Sequence, residues 1–232
     1  MISGDSGYVD KPFRKQYILF FGVAAQFCYV GAQVGIAAYF INFYTQARPD
    51  ETHAGDAESI NRAHQQGSNM YAIGQGLFAI GRFAAAGLMY ITKPRWVLLI
   101  FQTMIMIFLA AAIGTDTGDG VRANWGGVAL LMIVLFFESC IFPTIFTLSL
   151  RGLGRHTKRG ASFLVASVCG GAVIPAILGN VADITGTRVA MVVPLSFFCV
   201  AWSFPIYLNV FKRKQLDAFT ESTVGLKEGQ VD

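Results

Sequence analysis

Six long apolar runs, separated by short stretches that hold most of the charges, constrain this chain more than any other feature. A helix needs roughly 20 apolar residues to cross the hydrocarbon core of a bilayer. Only 14% of the 232 residues are charged, against about 25% in soluble domains. The sequence therefore predicts an all-α polytopic membrane protein. The expected spans, numbered first to sixth, are residues 16–45, 68–92, 96–114, 125–150, 161–181 and 189–211.

The placement of Lys and Arg predicts the direction of these spans. With residues 1–15 in the cytoplasm, thirteen of the 18 basic residues fall on that side, four fall outside, and Arg82 lies within a span. This excess is the positive-inside pattern. We expect a cytoplasmic N-terminal segment (1–15), a cytoplasmic tail (212–232) and a polar outer loop (46–67) without regular structure, in a multi-pass protein of the plasma membrane.

Several functional classes find no support in the sequence. It has no Walker A pattern, no dinucleotide-binding glycine pattern and no HExxH. The four cysteines lie apart, each within an apolar run, which is typical of small buried residues rather than of metal ligands. No basic face alternates with exposed aromatic residues, as nucleic-acid binding would require. We expect neither an enzyme nor a cofactor, metal or nucleic-acid site.

Glu138 is the most informative single residue, because it lies near the middle of an otherwise uncharged run. A carboxylate at that depth costs several kcal/mol unless it is protonated, paired or in contact with water. A helix that only anchors a protein has no need of such a group. Glu138 therefore indicates a polar pathway through the membrane and is a candidate for binding substrate or a coupling proton.

Polar residues also form stripes on the first two spans. Gln26, Tyr29 and Gln33 are spaced three and four residues apart, so they share one helical face. Tyr71 and Gln75 are spaced four apart on the second span. Neutral donors and acceptors in this arrangement suit a polyhydroxylated ligand, although hydrogen bonds between helices are the alternative explanation.

Arg82 continues the stripe on the second span and carries a permanent charge within the membrane. The second and fourth spans run in the same direction, and Arg82 and Glu138 lie equally far along them, which puts both side chains at similar depth. We expect the two to face one another as an ion pair or to share a polar network. Such a pair would either lock two helices together or be opened by a substrate or a proton.

Particular sequence blocks resemble the C-terminal half of fucose permease-like sugar transporters of the major facilitator superfamily. The blocks run from Gln26 to Gln33, from Gly81 to Phe83, from Pro143 to Leu148, from Gly152 to Phe163 and from Gly170 to Pro175. They occur in the family's order and extend over most of the chain. Pro143, Gly170, Gly171 and Pro175 are also helix breakers inside spans, which transporters use at binding sites.

This resemblance implies one half of a twelve-helix transporter, with six helices in a three-plus-three inverted repeat. It implies transport of a monosaccharide such as fucose, glucose or galactose, with protons, by alternating access between two halves. The missing N-terminal half would then be a partner, in the same longer chain or in a second subunit. The family's coupling carboxylates lie in that other half, so the role of Glu138 is inferred from this sequence alone.

Two other readings remain open from the residues. A non-transporting membrane protein, such as a truncated form or a nutrient sensor derived from a transporter, would keep the binding stripe. A homo-oligomeric pore would need a continuous polar stripe along a full span, and no span carries one. The short tail, with no recognisable signalling motif, argues against the sensor.

Overall fold

The structure is a computed structural model that describes residues 13, 16–47, 57–115 and 125–212. Within these ranges all regular structure is helical, as the sequence predicts. Six helical stretches are long and apolar enough to cross a membrane, and we keep the names first to sixth span for them. They are Tyr17–Ala47, Ala57–Ile91, Pro94–Gly114, Trp125–Leu150, Thr157–Thr185 and Thr187–Phe211.

The second span begins at Ala57, inside the segment that was expected to be an irregular outer loop. Glu58 lies in its first turn, where a negative charge stabilises the helix N-terminus. Arg62 contacts Glu58 one turn later at 3.1 Å. These local interactions extend the helix beyond its apolar part. The expectations for residues 1–12, for the rest of the outer loop (48–56) and for the tail beyond Lys212 lie outside the described residues.

Three spans are interrupted. The fourth consists of Trp125–Glu138 and Ile141–Leu150, separated at Ser139 and Cys140. The fifth consists of Thr157–Ala166, a 3₁₀ turn at Ser167–Cys169, and Gly170–Thr185 with Pro175 inside. The sixth has a short piece, Thr187–Ala190, before Val192–Phe211. The breaks in the fourth and fifth spans lie at the helix breakers found in the sequence.

The first span is the centre of the bundle and packs against the second, fourth, fifth and sixth. Glycines permit the closest of these contacts. A Cβ on Gly31 would lie 2.6 Å from the carbonyl oxygen of Gly170 on the fifth span, closer than real side chains approach. The backbones of the first and fifth spans therefore touch because neither residue has a side chain there.

The second and fifth spans are the most open. Only 17% of the apolar window of the second span and 28% of that of the fifth are buried, against 39% to 56% in the other four spans. Large apolar side chains such as Ile80, Phe83 and Val165 are exposed on them. These two helices present the surfaces of the bundle that can accept lipid or another protein.

Candidate functional site

The break in the fourth span is the structural centre of the candidate site. Proline has no N–H, so Pro143 cannot donate to the carbonyl four residues before it, that of Ser139. The guanidinium of Arg82 takes over this role, with Nε donating to the Ser139 carbonyl at 3.2 Å. An arginine of the second span thus completes the hydrogen bonding of a helix that proline interrupts.

The preceding carbonyl is satisfied from the other side. The hydroxyl of Tyr29, on the first span, donates to the carbonyl oxygen of Glu138 at 2.5 Å. The Tyr29 side chain is fully buried, and its ring packs against Phe198 of the sixth span with centroids 5.9 Å apart. Two consecutive carbonyls at the break therefore tie the first and second spans to the fourth.

Gly81 brings the second span close enough for the Arg82 contact. A Cβ at Gly81 would lie 2.5 Å from the Phe136 carbonyl oxygen and 2.6 Å from Ser139 Oγ. The Arg82 guanidinium also lies 4.9 Å from the ring centroid of Phe78, one turn away on its own helix. A carbonyl and an aromatic face are thus the groups that contact this intramembrane charge.

The expected ion pair between Arg82 and Glu138 is not formed. Neither carboxyl oxygen of Glu138 has a hydrogen-bond partner in the described part of the chain, and the side chain is fully buried. Arg82 lies on the exposed side of the break, where the Ser139 carbonyl is available to it. Arg82 does reach the residue after Glu138, but its partner is the backbone carbonyl of Ser139 rather than the Glu138 carboxylate.

The two polar stripes separate into buried and accessible residues. Gln26 is fully buried, and neither its Oε1 nor its Nε2 has a partner among the described residues. Gln33 is half-buried and Gln75 is exposed. Tyr71 is half-buried, with its ring 5.4 Å from that of Phe40.

These positions decide what each residue can contact in this conformation. Gln33, Tyr71, Gln75 and Arg82 are accessible to a ligand. Gln26, Tyr29 and Glu138 have no accessible surface, so a ligand reaches them only if the spans move apart. Their assignment as substrate-binding residues stays a prediction.

A groove of about 510 Å³ lies between the second and fourth spans at the break. Its volume falls in the range of about 300–1,000 Å³ that is usual for small-ligand sites. Arg82 and Thr147 are its exposed polar side chains. The hydroxyls of Thr144 and Thr147 donate to the carbonyls of Cys140 and Thr144, at 2.6 and 3.1 Å, and Ser139 Oγ is buried. The lining residues are Arg82, Ala86, Met89, Ser139, Cys140, Phe142, Pro143, Thr144 and Thr147.

Sequence reasoning did not select Thr147 or Met89 as site residues. The available signal was the position of Thr147 one turn after Pro143, on the same side of the broken helix. The groove also contains no metal-binding chemistry. In the ranges that the structure describes, no group of three His, Cys, Asp or Glu side chains could hold a metal ion.

Comparison with known proteins shows what this bundle is similar to. No protein-family model matches the chain. It is 34% identical over 185 residues to a glucose/galactose transporter of Brucella abortus, covering 79% of this chain and 40% of that protein. It is 33% identical over 184 residues to the L-fucose-proton symporter of Escherichia coli, covering 78% and 38%.

A solved structure agrees with these relatives. The fold matches the crystal structure of a major facilitator superfamily transporter, FucP, in the outward conformation, with a TM-score of 0.71 and 28% identity. That match covers 83% of this chain and 42% of the other. The chain belongs to the fucose permease-like group of the major facilitator superfamily.

Within this group, the chain spans about 40% of the length of the curated relatives it matches. Its six spans have the fold of one half of a fucose permease-like transporter. The broken fourth span, the Arg82 contact and the groove therefore belong to a bundle with the fold of a transporter half, and the relatives are named as transporters rather than as enzymes.

Proposed function

We propose that this chain is the C-terminal half of a secondary transporter that moves a monosaccharide, such as fucose, glucose or galactose, together with protons by alternating access. The observation that carries the proposal is the groove at the break of the fourth span. It is a site of small-ligand size at a broken helix, where transporters place their substrates. The names of the related proteins support a sugar as the ligand.

The chemistry of this site is binding and release without a covalent step. Sugar hydroxyls both donate and accept hydrogen bonds, so hydroxyl and amide side chains suit them. Thr147 supplies an exposed hydroxyl oxygen that can accept a hydrogen bond in the groove, and Gln75 supplies an exposed amide on the second span. The Arg82 guanidinium keeps N–H donors beyond the one that binds the Ser139 carbonyl.

A second six-helix half is the partner that this reading requires, in the same polypeptide or in another subunit. The open surfaces of the second and fifth spans are where it would pack. With the second half in place, the groove would become a central cavity between two halves. The excess of basic residues on one side supports a cytoplasmic location for both the N-terminal and the C-terminal segment, and we propose the plasma membrane as the location.

Glu138 is the candidate for the coupling proton. It lies at mid-depth, beside the break, with no protein partner for its carboxyl oxygens among the described residues. An isolated carboxylate in such a place is costly, and taking up a proton removes the cost. Movement of either neighbouring span would change the surroundings of the Glu138 carboxyl, because the first span contacts the carbonyl of Glu138 and the second contacts that of Ser139.

The test is uptake by a complete transporter. This chain is joined to the N-terminal half of the Escherichia coli symporter and expressed in cells that lack sugar uptake of their own. Labelled fucose, glucose and galactose are then offered with and without a proton gradient. We expect accumulation of one of them that depends on the gradient, and an altered pH profile in Glu138→Gln.

The control variant is Glu58→Gln, which removes a carboxylate at the exposed start of the second span and should leave the pH profile unchanged. Binding of a sugar without uptake, in a chimera that folds, would favour the sensor instead. Uptake with the same pH profile in Glu138→Gln would show that another group carries the proton.

A further inference from the structure

Three buried polar side chains line the contact between the first and fourth spans, and protein atoms satisfy none of them. They are Glu138, Gln26 and Ser149, and each is fully buried. The carboxyl oxygens of Glu138, both amide atoms of Gln26 and Oγ of Ser149 have no partner among the described residues. We call these three residues the buried polar column.

Two direct contacts fix the register of the two helices. Tyr29 meets the fourth span at Glu138, through the hydrogen bond to its carbonyl. Gly22 meets the fourth span at Ser149, because Ser149 Oγ occupies the place where a Gly22 side chain would begin. The two spans therefore run antiparallel, with residues 22 and 149 at one level and residues 29 and 138 at another.

Gln26 lies between these two levels. Positions 22, 26 and 29 are spaced four and three apart, so they share the face of the first span that contacts the fourth. Glu138 and Ser149 lie on opposite sides of the break in the fourth span, and each meets the first span, at Tyr29 and at Gly22 respectively. Along the first span, Gln26 thus lies between the residue that meets Glu138 and the residue that meets Ser149.

The energetics of such a row require a partner other than protein. Each buried polar group without a hydrogen bond costs about 1–3 kcal/mol. Buried water satisfies groups of this kind when several polar atoms surround a site. Three such groups along one helix contact therefore favour water as their partner.

An apolar cluster covers one end of the column. Leu19, Leu153 and Leu164 are fully buried or nearly so and pack together beyond Ser149, at the end of the bundle that carries Tyr17 and Leu150. By the basic-residue pattern this end is cytoplasmic. The cluster separates the column from bulk water in this conformation, and we call these three leucines the gate.

We propose that the buried polar column is a proton path that links Glu138 to the end of the bundle covered by Leu19, Leu153 and Leu164. A proton leaves hydronium at that end, passes along hydrogen-bonded water and binds the Glu138 carboxylate, which becomes a neutral acid. Gln26 and Ser149 donate and accept hydrogen bonds without changing their own protonation. The reverse sequence releases the proton. The purpose of this path rests on the proposed proton-coupled transport, but its existence does not.

The surroundings of Glu138 contain few other titratable groups. Tyr29 and Tyr71 lie within electrostatic reach of it, and Cys140 and Arg82 lie within reach of Tyr29. Phe137, which precedes Glu138 in the chain, contacts the rings of Phe101 and Phe108 on the third span. On the sixth span, Phe198 packs against Tyr29. Among these groups, Glu138 is the carboxyl at the inner end of the column.

The experiment measures hydrogen–deuterium exchange at the Glu138 carboxyl in the purified chain, in lipid nanodiscs and without sugar. The band of the protonated carboxyl is assigned in the infrared spectrum by its loss in Glu138→Gln. We expect exchange after transfer to D₂O to slow about tenfold in Gln26→Leu and in Ser149→Ala, as loss of one hydrogen-bonding station predicts. Leu153→Ala should speed exchange by opening the gate.

Matched controls are Gln102→Leu, a buried unpartnered amide on the third span, and Ser203→Ala, a serine of the sixth span that donates to its own helix at Val200. Neither should change the rate. Gln26→Met serves if Gln26→Leu fails to fold. The proposal would be overturned if exchange were equally fast in the native chain, in both Gln26 variants and in Ser149→Ala. It would also be overturned if these variants became more stable without slower exchange. A chimera that fails to transport sugar leaves this result intact.

Discussion

Arg82 Nε on the second span lies 3.2 Å from the carbonyl oxygen of Ser139, the acceptor that Pro143 leaves without a helical donor. The arginine thus substitutes for a backbone N–H at the break of the fourth span. An intramembrane arginine needs a hydrogen-bond acceptor, and an intramembrane proline leaves a carbonyl without a donor. Here the arginine donates to the carbonyl that the proline leaves free. The relationship predicts that the two residues are energetically coupled.

Arg82→Leu should lower the unfolding free energy by about 1–2 kcal/mol, because it leaves the Ser139 carbonyl without its donor. In a Pro143→Ala background the new N–H of residue 143 can bind that carbonyl, so the same change should cost less. Thermal unfolding of the four proteins in detergent measures the coupling in a double-mutant cycle.

Arg62→Leu is the control for loss of an arginine from the same helix, since its contact with Glu58 is exposed and such pairs contribute about 0–1 kcal/mol. Strictly additive losses for Arg82→Leu and Pro143→Ala would show that the arginine does not act through the proline-freed carbonyl.

Tyr29→Phe removes the hydrogen bond to the Glu138 carbonyl and leaves the ring in place. We expect a loss of about 1 kcal/mol, measured by thermal unfolding. Tyr207→Phe is the matched control, because the Tyr207 hydroxyl makes no hydrogen bond within the described residues although its ring packs against Phe21. Equal stability of the two variants would mean that the Tyr29 hydroxyl contributes nothing at the break.

Gly81→Ala should destabilise the bundle, since its Cβ would lie 2.5 Å from the Phe136 carbonyl oxygen and force the second span away from the break. Gly76→Ala, on the same helix, meets no heavy atom within 4 Å. That substitution should stabilise the helix by up to about 1 kcal/mol, through the higher helix propensity of alanine. The unfolding midpoint should fall in Gly81→Ala and rise in Gly76→Ala. Two stabilised variants would contradict the close approach at Gly81.

Cysteine labelling tests where a second half packs. Cys169 on the fifth span and Cys199 on the sixth are exposed, whereas Cys28 and Cys140 are buried. A membrane-permeant maleimide should therefore label Cys169 and Cys199 in the isolated chain. In the chimera with an N-terminal half, we expect Cys169 to be protected and Cys199 to react as before. Labelling of both in a transport-competent chimera would place the second half elsewhere.

Some parts of the site follow from the sequence. Pro143 identified the break in the fourth span because a missing N–H disrupts any helix locally. Span direction and helical rise predicted a similar depth for Arg82 and Glu138, and Arg82 contacts the residue that follows Glu138. The start of the second span at Ala57 was missed, because polar residues 57–67 form a helix through local contacts such as that of Arg62 with Glu58.

The sequence by itself determined the six membrane-spanning helices, the interruptions of the fourth and fifth spans and the presence of polar groups within the spans, since hydrophobic length and helix breaking depend on neighbours along the chain. Only the tertiary structure decided which of those groups meet. It paired Arg82 with a carbonyl instead of the Glu138 carboxylate and buried Gln26. The physical reason is that the rotation of each helix about its axis is set by packing contacts such as those at Gly22 and Gly81, which residue spacing within one helix does not specify.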